Sequence, residues 1–110
     1  MYAIGVSLSA RRLQLFQDRR LIRNYTIGVG KHTTPTPPGR YTIISKLPYP
    51  GGPFGSMWLG LSVPRYGIHG TNNPKSIGGL VSKGCIRMHN HDVLEVARLV
   101  PLGTMVLIEQ

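Results

Sequence analysis

Tyr2, Ile4, Val6 and Leu8 alternate with Ala3, Gly5 and Ser7, the period of two that marks a half-buried strand. Leu13 and Leu15, then Leu21 to Val29, continue the alternation, with Gln17-Asp18-Arg19-Arg20 as the turn between them. The first thirty residues therefore predict a β-meander that ends at Gly28-Val29-Gly30. Three prolines between Thr33 and Gly39 exclude helix and central strand, which makes this stretch a stiff loop. Strand resumes over Arg40 to Lys46, breaks at a second Pro/Gly loop from Pro48 to Gly55, and returns over Trp58 to Val63. Tyr66-Gly67-Ile68-His69 is a short extended piece running into the polar turn Gly70-Thr71-Asn72-Asn73-Pro74.

Only one segment has a helical period. Val93, Val96, Ala97 and Val100 recur at i, i+3, i+4 and i+7. Asn90 or His91 is placed to cap this helix, Asp92 suits the positive end of its dipole, and Pro101 stops it. Thr104 to Glu109 closes the chain as a last strand. The expected fold is mainly β: a single-domain, β-sandwich-like arrangement of mixed sheets of short strands, with one helix near the C-terminus. Its 110 residues suit one domain and one modest core, so residues 1–110 are taken as a single unit.

Charge narrows the partners. The formal net charge is +9, which favours polyanions such as anionic wall polymers or nucleic acid, or else a solvated basic surface. Arg11, Arg12, Arg19, Arg20 and Arg23 alternate with strand-like apolar positions, so they read as outward strand and turn residues and not as a basic helix for a DNA groove. The first residues carry neither a charged leader nor a long apolar run, and no stretch approaches the ~20 apolar residues of a membrane span. The expectation is a chain with no export signal or anchor of its own.

One cysteine excludes an internal disulfide. A lone cysteine is usually inert and buried, unless a histidine and a suitable turn accompany it. Cys85 has both. A thiol of ordinary pKa ~8.5 needs a base or positive charge to become a nucleophile. His69 is a candidate base, and Lys83 and Arg87 place positive charge around the thiol. Gly84 permits a sharp turn that leaves room for a substrate carbonyl, and backbone N–H groups at such a turn make an oxyanion hole. A buried cysteine, a turn histidine and a self-solvating loop account for the same residue types. What favours chemistry is that both segments are polar, glycine-flanked loops adjoining apolar strands, where a rigid scaffold usually carries its catalytic groups.

His69-Gly70-Thr71-Asn72 and Ser82-Lys83-Gly84-Cys85-Ile86-Arg87-Met88 resemble the signature of L,D-transpeptidase (YkuD-type) catalytic domains. The likeness runs over nearly the whole chain. It takes in Leu15-Phe16, Val29-Gly30-Lys31, Thr34-Pro35-Thr36-Pro37, Gly52-Pro53-Phe54-Gly55 and Val100-Pro101-Leu102-Gly103-Thr104. The resemblance implies Cys85 as nucleophile and His69 as its partner. It implies the Gly70 carbonyl as the group orienting that histidine, and the N–H groups of Gly84 and Cys85 as the oxyanion hole. Arg87 matches a motif arginine that supports the site or substrate, while Lys83 stands where many members have His. The implied reaction joins peptidoglycan stem peptides in 3→3 cross-links through a Cys85 thioester, with release of D-alanine, in the bacterial cell wall or a spore wall.

Other readings are an L,D-carboxypeptidase on the same scaffold, or a basic non-catalytic module for wall polymers or nucleic acid. Ser82 is a candidate substrate contact or a turn serine bonding its own backbone. Trp58 is a candidate cleft residue or a core residue, and Asn90 a helix cap. His89 and His91 beside Cys85 fit no zinc spacing, so no metal or other cofactor is expected.

Overall fold

The computed structural model describes all residues, Met1 to Gln110. Ten strands and one helix follow in the order β1 (Tyr2–Ser7), β2 (Arg12–Gln17), β3 (Arg20–Thr26), β4 (Val29–Gly30), β5 (Gly39–Pro48), β6 (Met57–Leu61), β7 (Gly67–His69), β8 (Leu80–Ser82), β9 (Ile86–Arg87), α1 (Asn90–Leu99) and β10 (Met105–Glu109). Eight strands form one mixed sheet in the order β3-β2-β1-β10-β5-β6-β7-β9, and β4 pairs with β8 in a small second sheet. Two of the pairings in the large sheet are parallel, β1 with β10 and β7 with β9.

The registers put the apolar positions opposite one another across the whole sheet. Ile4 faces Leu15 on one side and Val106 on the other, and Val6 likewise faces Leu13 and Ile108. Farther along, Ile43 faces Leu61, Leu59 faces Ile68, and Ile68 faces Ile86. All of these residues are buried and belong to one cluster, which Val93, Val96, Ala97 and Val100 complete from the helix. A flat eight-stranded sheet could not bring strands from both ends into one cluster, so the sheet curls around α1. The helix packs on β6 and β7 near one end. At the other end its Glu95 reaches Arg23 at 3.1 Å and accepts a hydrogen bond from Tyr25, both on β3.

Lys46, on β5, is placed by its pairing with Leu59 on the same inward side. Its ammonium donates to the carbonyls of Ala97 and Val100, satisfying the helix C-terminus that Pro101 leaves open. The sequence pattern, which treats Lys46 only as a strand end, misses this.

Several boundaries differ from the expected ones. The third strand ends at Thr26, because Gly28 turns to bridge Arg87 and Val29-Gly30 leaves to pair with β8. Gly30 lies so close to the backbone of Thr34 and Pro35 that a Cβ would collide with it. Strands β8 and β9 are only 3 and 2 residues long, too short to show a period, and went unpredicted. The helix is capped by neither Asn90 nor His91: His89 holds the cap position without a side-chain bond, and Asn90 is the first helical residue. No helix is long and apolar enough to cross a membrane.

Candidate active site

Side chains alternate across a strand, so the registers that bury Leu59, Ile68 and Ile86 turn their neighbours to the opposite face. There Leu47 faces Trp58, Trp58 faces His69, and His69 faces Arg87, a row crossing β5, β6, β7 and β9. Cys85 immediately precedes β9 and by the same alternation lies on the face of Arg87. The topology thus brings His69, Cys85 and Arg87 together from segments that sequence alone leaves unconnected.

His69 is 3% exposed. Its Nδ1 donates to the Gly70 carbonyl at 2.5 Å. An acceptor at Nδ1 requires the proton there, which leaves the Nε2 lone pair free. The Trp58 ring lies nearly parallel to the imidazole, with centroids 5.6 Å apart, and Phe54 stands edge-on to both rings. Burial pushes the His69 pKa below its ordinary value; the Arg87 charge lowers it further and the Gly70 bond partly opposes this. The imidazole is therefore neutral at pH 7.

Cys85 is half-buried, and its thiol lies 3.6 Å from the Arg65 carbonyl. Burial pushes the thiol pKa up, while a hydrogen bond from the Gly67 backbone and the Arg87 charge pull it down. The resting pair is a neutral thiol beside a neutral imidazole. Arg87 makes no ion pair, and its Nε is buried without a hydrogen-bond partner. Its charge is left without a carboxylate partner in the protein.

The backbone around Cys85 is fixed by Ser82. Its hydroxyl donates to the Cys85 carbonyl at 2.6 Å and accepts from the Gly84 N–H at 3.1 Å. Ser82 is 4% exposed. Its hydroxyl staples its own turn, as donor and as acceptor. The Gly84 N–H, expected in an oxyanion hole, is thereby occupied, whereas the Cys85 N–H has no partner in the protein. Gly84 itself has φ +123° and lies against the Tyr66 ring, which only glycine accommodates. Lys83 is exposed at the rim.

Asn90 does more than a cap would. Its Oδ1 accepts from the N–H groups of Ser56 (3.1 Å) and Thr71 (3.0 Å), and its Nδ2 donates to the Thr71 carbonyl at 2.9 Å. It ties the loop bearing Phe54 to the turn that follows His69, and the Gly55 and Gly70 backbones close against its Oδ1. The sequence offers no local signal of this, since the partners lie 19 and 34 residues away.

Trp58 belongs neither to the core cluster nor to open surface: with Leu47, Pro50 and Phe54 it lines an apolar cavity of about 280 Å³ beside His69. His89 and His91 stack on each other, with centroids 5.8 Å apart, and no three His, Cys, Asp or Glu side chains gather into a metal-binding group.

This fold has counterparts. A family model described as the L,D-transpeptidase catalytic domain (YkuD) matches residues 1–108. The chain belongs to the L,D-transpeptidase catalytic domain family. It is 59% identical over 107 residues to a Bacillus licheniformis protein named "Putative L,D-transpeptidase YkuD", covering 97% of this chain and 65% of that protein. The chain thus spans a little under two thirds of that relative's length. The solution structure of the catalytic domain of the E. faecium L,D-transpeptidase superposes with a TM-score of 0.84 at 25% identity, covering 99% of this chain and 97% of that one. A structure titled as the Ldtfm-avibactam carbamoyl enzyme gives 0.87 at 26%, covering 98% and 48%.

Proposed function

We propose that this chain is an acyl-transfer domain acting on peptidoglycan stem peptides, with Cys85 as nucleophile and His69 as general base. The observation that carries the reading is that the single cysteine of an L,D-transpeptidase family chain shares one sheet face with a buried histidine whose Nε2 is free. His69 Nε2 takes the thiol proton as Sγ attacks the carbonyl of the third, diamino-acid residue of a donor stem. The oxyanion forms against the Cys85 N–H. Collapse of the tetrahedral intermediate breaks the bond to the terminal D-alanine, and the His69 imidazolium returns the proton to its amine.

A side-chain amine of a second stem then attacks the thioester. It passes a proton to His69, and thiolate expulsion with reprotonation leaves a 3→3 cross-link. Arg87 receives a stem carboxylate, and the Trp58–Phe54 cavity takes apolar parts of a stem, with Lys83 at the rim. The reading places the domain outside the cytoplasmic membrane, at the wall. A hydrolase shares every step up to the thioester and differs only in water as acceptor.

The test is intact mass after incubation with a carbapenem, a β-lactam that an acylating cysteine opens. Wild type gains one whole drug molecule, Cys85→Ala gains none, and His69→Ala gains it slowly. No adduct on folded wild type at long times overturns the reading. Adding donor tetrapeptide with and without an amine then separates cross-linking from hydrolysis.

A further inference from the structure

Away from the Cys85–His69 face lies a cavity of about 290 Å³ whose walls include Ser9, Arg11, Lys31, His32, Pro35 and Thr36. Its side chains are cationic or neutral; no Asp or Glu lines it. The chain has only four acidic residues. Asp18, Asp92 and Glu95 are engaged with the N-terminal amine, His91, and Arg23 with Arg98 respectively. Neither Arg11 nor Lys31 forms an ion pair with an Asp or Glu side chain, and the cavity wall also includes Gln110, whose carbonyl oxygen accepts from the Ser9 N–H at 2.8 Å.

Arg11 departs from the outward position that the alternation of the early arginines predicts. It is half-buried, and its Nε is shut away from solvent with no hydrogen-bond partner. One Nη donates to the Ser9 carbonyl at 2.9 Å, and the Arg11 carbonyl accepts from the Ile27 N–H at 3.0 Å. Its backbone is held at φ +51°, in the left-handed region that non-glycine residues seldom occupy. The guanidinium therefore stands at the wall of a cavity that a lysine and a histidine also line, with no Asp or Glu to neutralise it.

We propose that this cavity is a binding site for a phosphate-type oxyanion. Arginine and lysine lining one hollow suit a tetrahedral anion, which offers several acceptor oxygens to more than one donor. The shared chemistry is the phosphate group, whether it comes from a phosphodiester of an anionic polymer or from free phosphate. The site is separate from the candidate active site, since neither Cys85 nor His69 lines it. It is nevertheless close to the nucleophile's loop. The Lys31 N–H and the Thr34 hydroxyl both donate to the Ser82 carbonyl, at 3.0 and 3.1 Å, and Ser82 holds the Cys85 carbonyl.

The experiment is a titration of the ¹⁵N-labelled protein, followed by NMR at constant ionic strength, with inorganic phosphate, a glycerol-phosphate oligomer, and acetate. The proposal expects saturable shifts at the amides of Ser9, Arg11, Lys31 and His32 with both phosphate ligands. At least fivefold weaker binding is expected in Arg11→Gly and in Lys31→Gln. Glycine tolerates φ +51°, so Arg11→Gly removes the side chain while easing the backbone, and its melting temperature verifies the fold. Tighter binding per phosphate by the oligomer supports a polymer as the source, and equal binding supports free phosphate. The proposal is overturned by the absence of saturable shifts at these residues, by shifts spread evenly over the exposed arginines, by undiminished binding in both variants, or by acetate binding as tightly as phosphate.

Discussion

The two halves of the candidate site are built in opposite ways. His69 sits inside the sheet, paired with Trp58 on one side and Arg87 on the other, 3% exposed and bonded through Nδ1 to the next residue's carbonyl. Cys85 sits just before a two-residue strand, half-buried, on a turn whose shape depends on one serine and one glycine in the left-handed region. His69 is fixed by regular secondary structure and long-range side-chain ties; Cys85 is fixed by a local staple. A group that shuttles protons needs one orientation throughout, while one that changes from thiol to thioester and back needs a turn that tolerates the change. Breaking each half should therefore leave different signatures.

The largest effect is removal of the proposed nucleophile. Cys85→Ala should abolish acylation and lower turnover by about 10⁴-fold or more while leaving the melting temperature nearly unchanged, because the thiol makes only weak contacts, one of 3.6 Å to the Arg65 carbonyl and one to the Gly67 backbone. Turnover retained in that variant would assign the chemistry elsewhere. Next comes the base half, through Asn90. Asn90→Ala frees the Ser56 and Thr71 N–H groups and the Thr71 carbonyl at a partly solvated place. We expect a loss of about 1–2 kcal/mol, seen as a melting point lower by roughly 5–10 °C. Misplacement of the Gly70 carbonyl should cost about 10–100-fold in kcat. An unchanged kcat in a folded variant would show that the His69 ring is held without this tie. For the nucleophile half, Ser82→Ala removes both bonds of a buried hydroxyl and should cost about 1–3 kcal/mol and roughly tenfold in acylation rate. The His69 titration, followed by NMR, should stay where it is. If it moves, the halves are coupled through the turn and the distinction fails.

How much of this was legible follows from how far each signal reaches along the chain. The meander, the one helix and the Pro-rich loop are written in local periods and turn residues, and the structure has them. Strands β4, β8 and β9 are too short for a period to exist, so their pairing depends on partners 18 to 52 residues away. The same limit applies within the site. His69 and Cys85 stand out by residue type and by their glycine neighbours. The role of Asn90 is invisible because its partners, Ser56 and Thr71, lie in other loops. Ser82 carried a clue in its position two residues before Gly84, the spacing of a serine turn, which favoured the staple over the substrate contact. Trp58 looked like core because it is large and flanked by apolar residues; only the register with His69 shows that it faces the other way.

Arg87 is the one side chain that acts on both halves, so it offers the finest test of the comparison. Its charge lowers the pKa of His69 and also that of Cys85. Arg87→Gln should therefore move both titrations to higher pH, because the imidazolium loses a repelling neighbour and the thiolate loses an attracting one. For a mechanism that starts from a neutral thiol and a neutral imidazole, only the histidine shift changes the working range. The acidic limb of kcat should move up in pH, toward the ordinary imidazole value of ~6.5, with little change at pH 8. A mechanism that starts from a preformed thiolate behaves otherwise. Its rate at pH 8 would fall as the thiol pKa rises. Measuring kcat against pH, with thiol alkylation rates and the His69 NMR titration on the same variant, separates these outcomes. A loss confined to the acidic limb supports the neutral pair; a loss that extends to pH 8 with alkylation slowed in step overturns it. If Arg87 also holds a stem carboxylate, KM rises severalfold at every pH, an effect that leaves both titrations unmoved and so can be read apart from them.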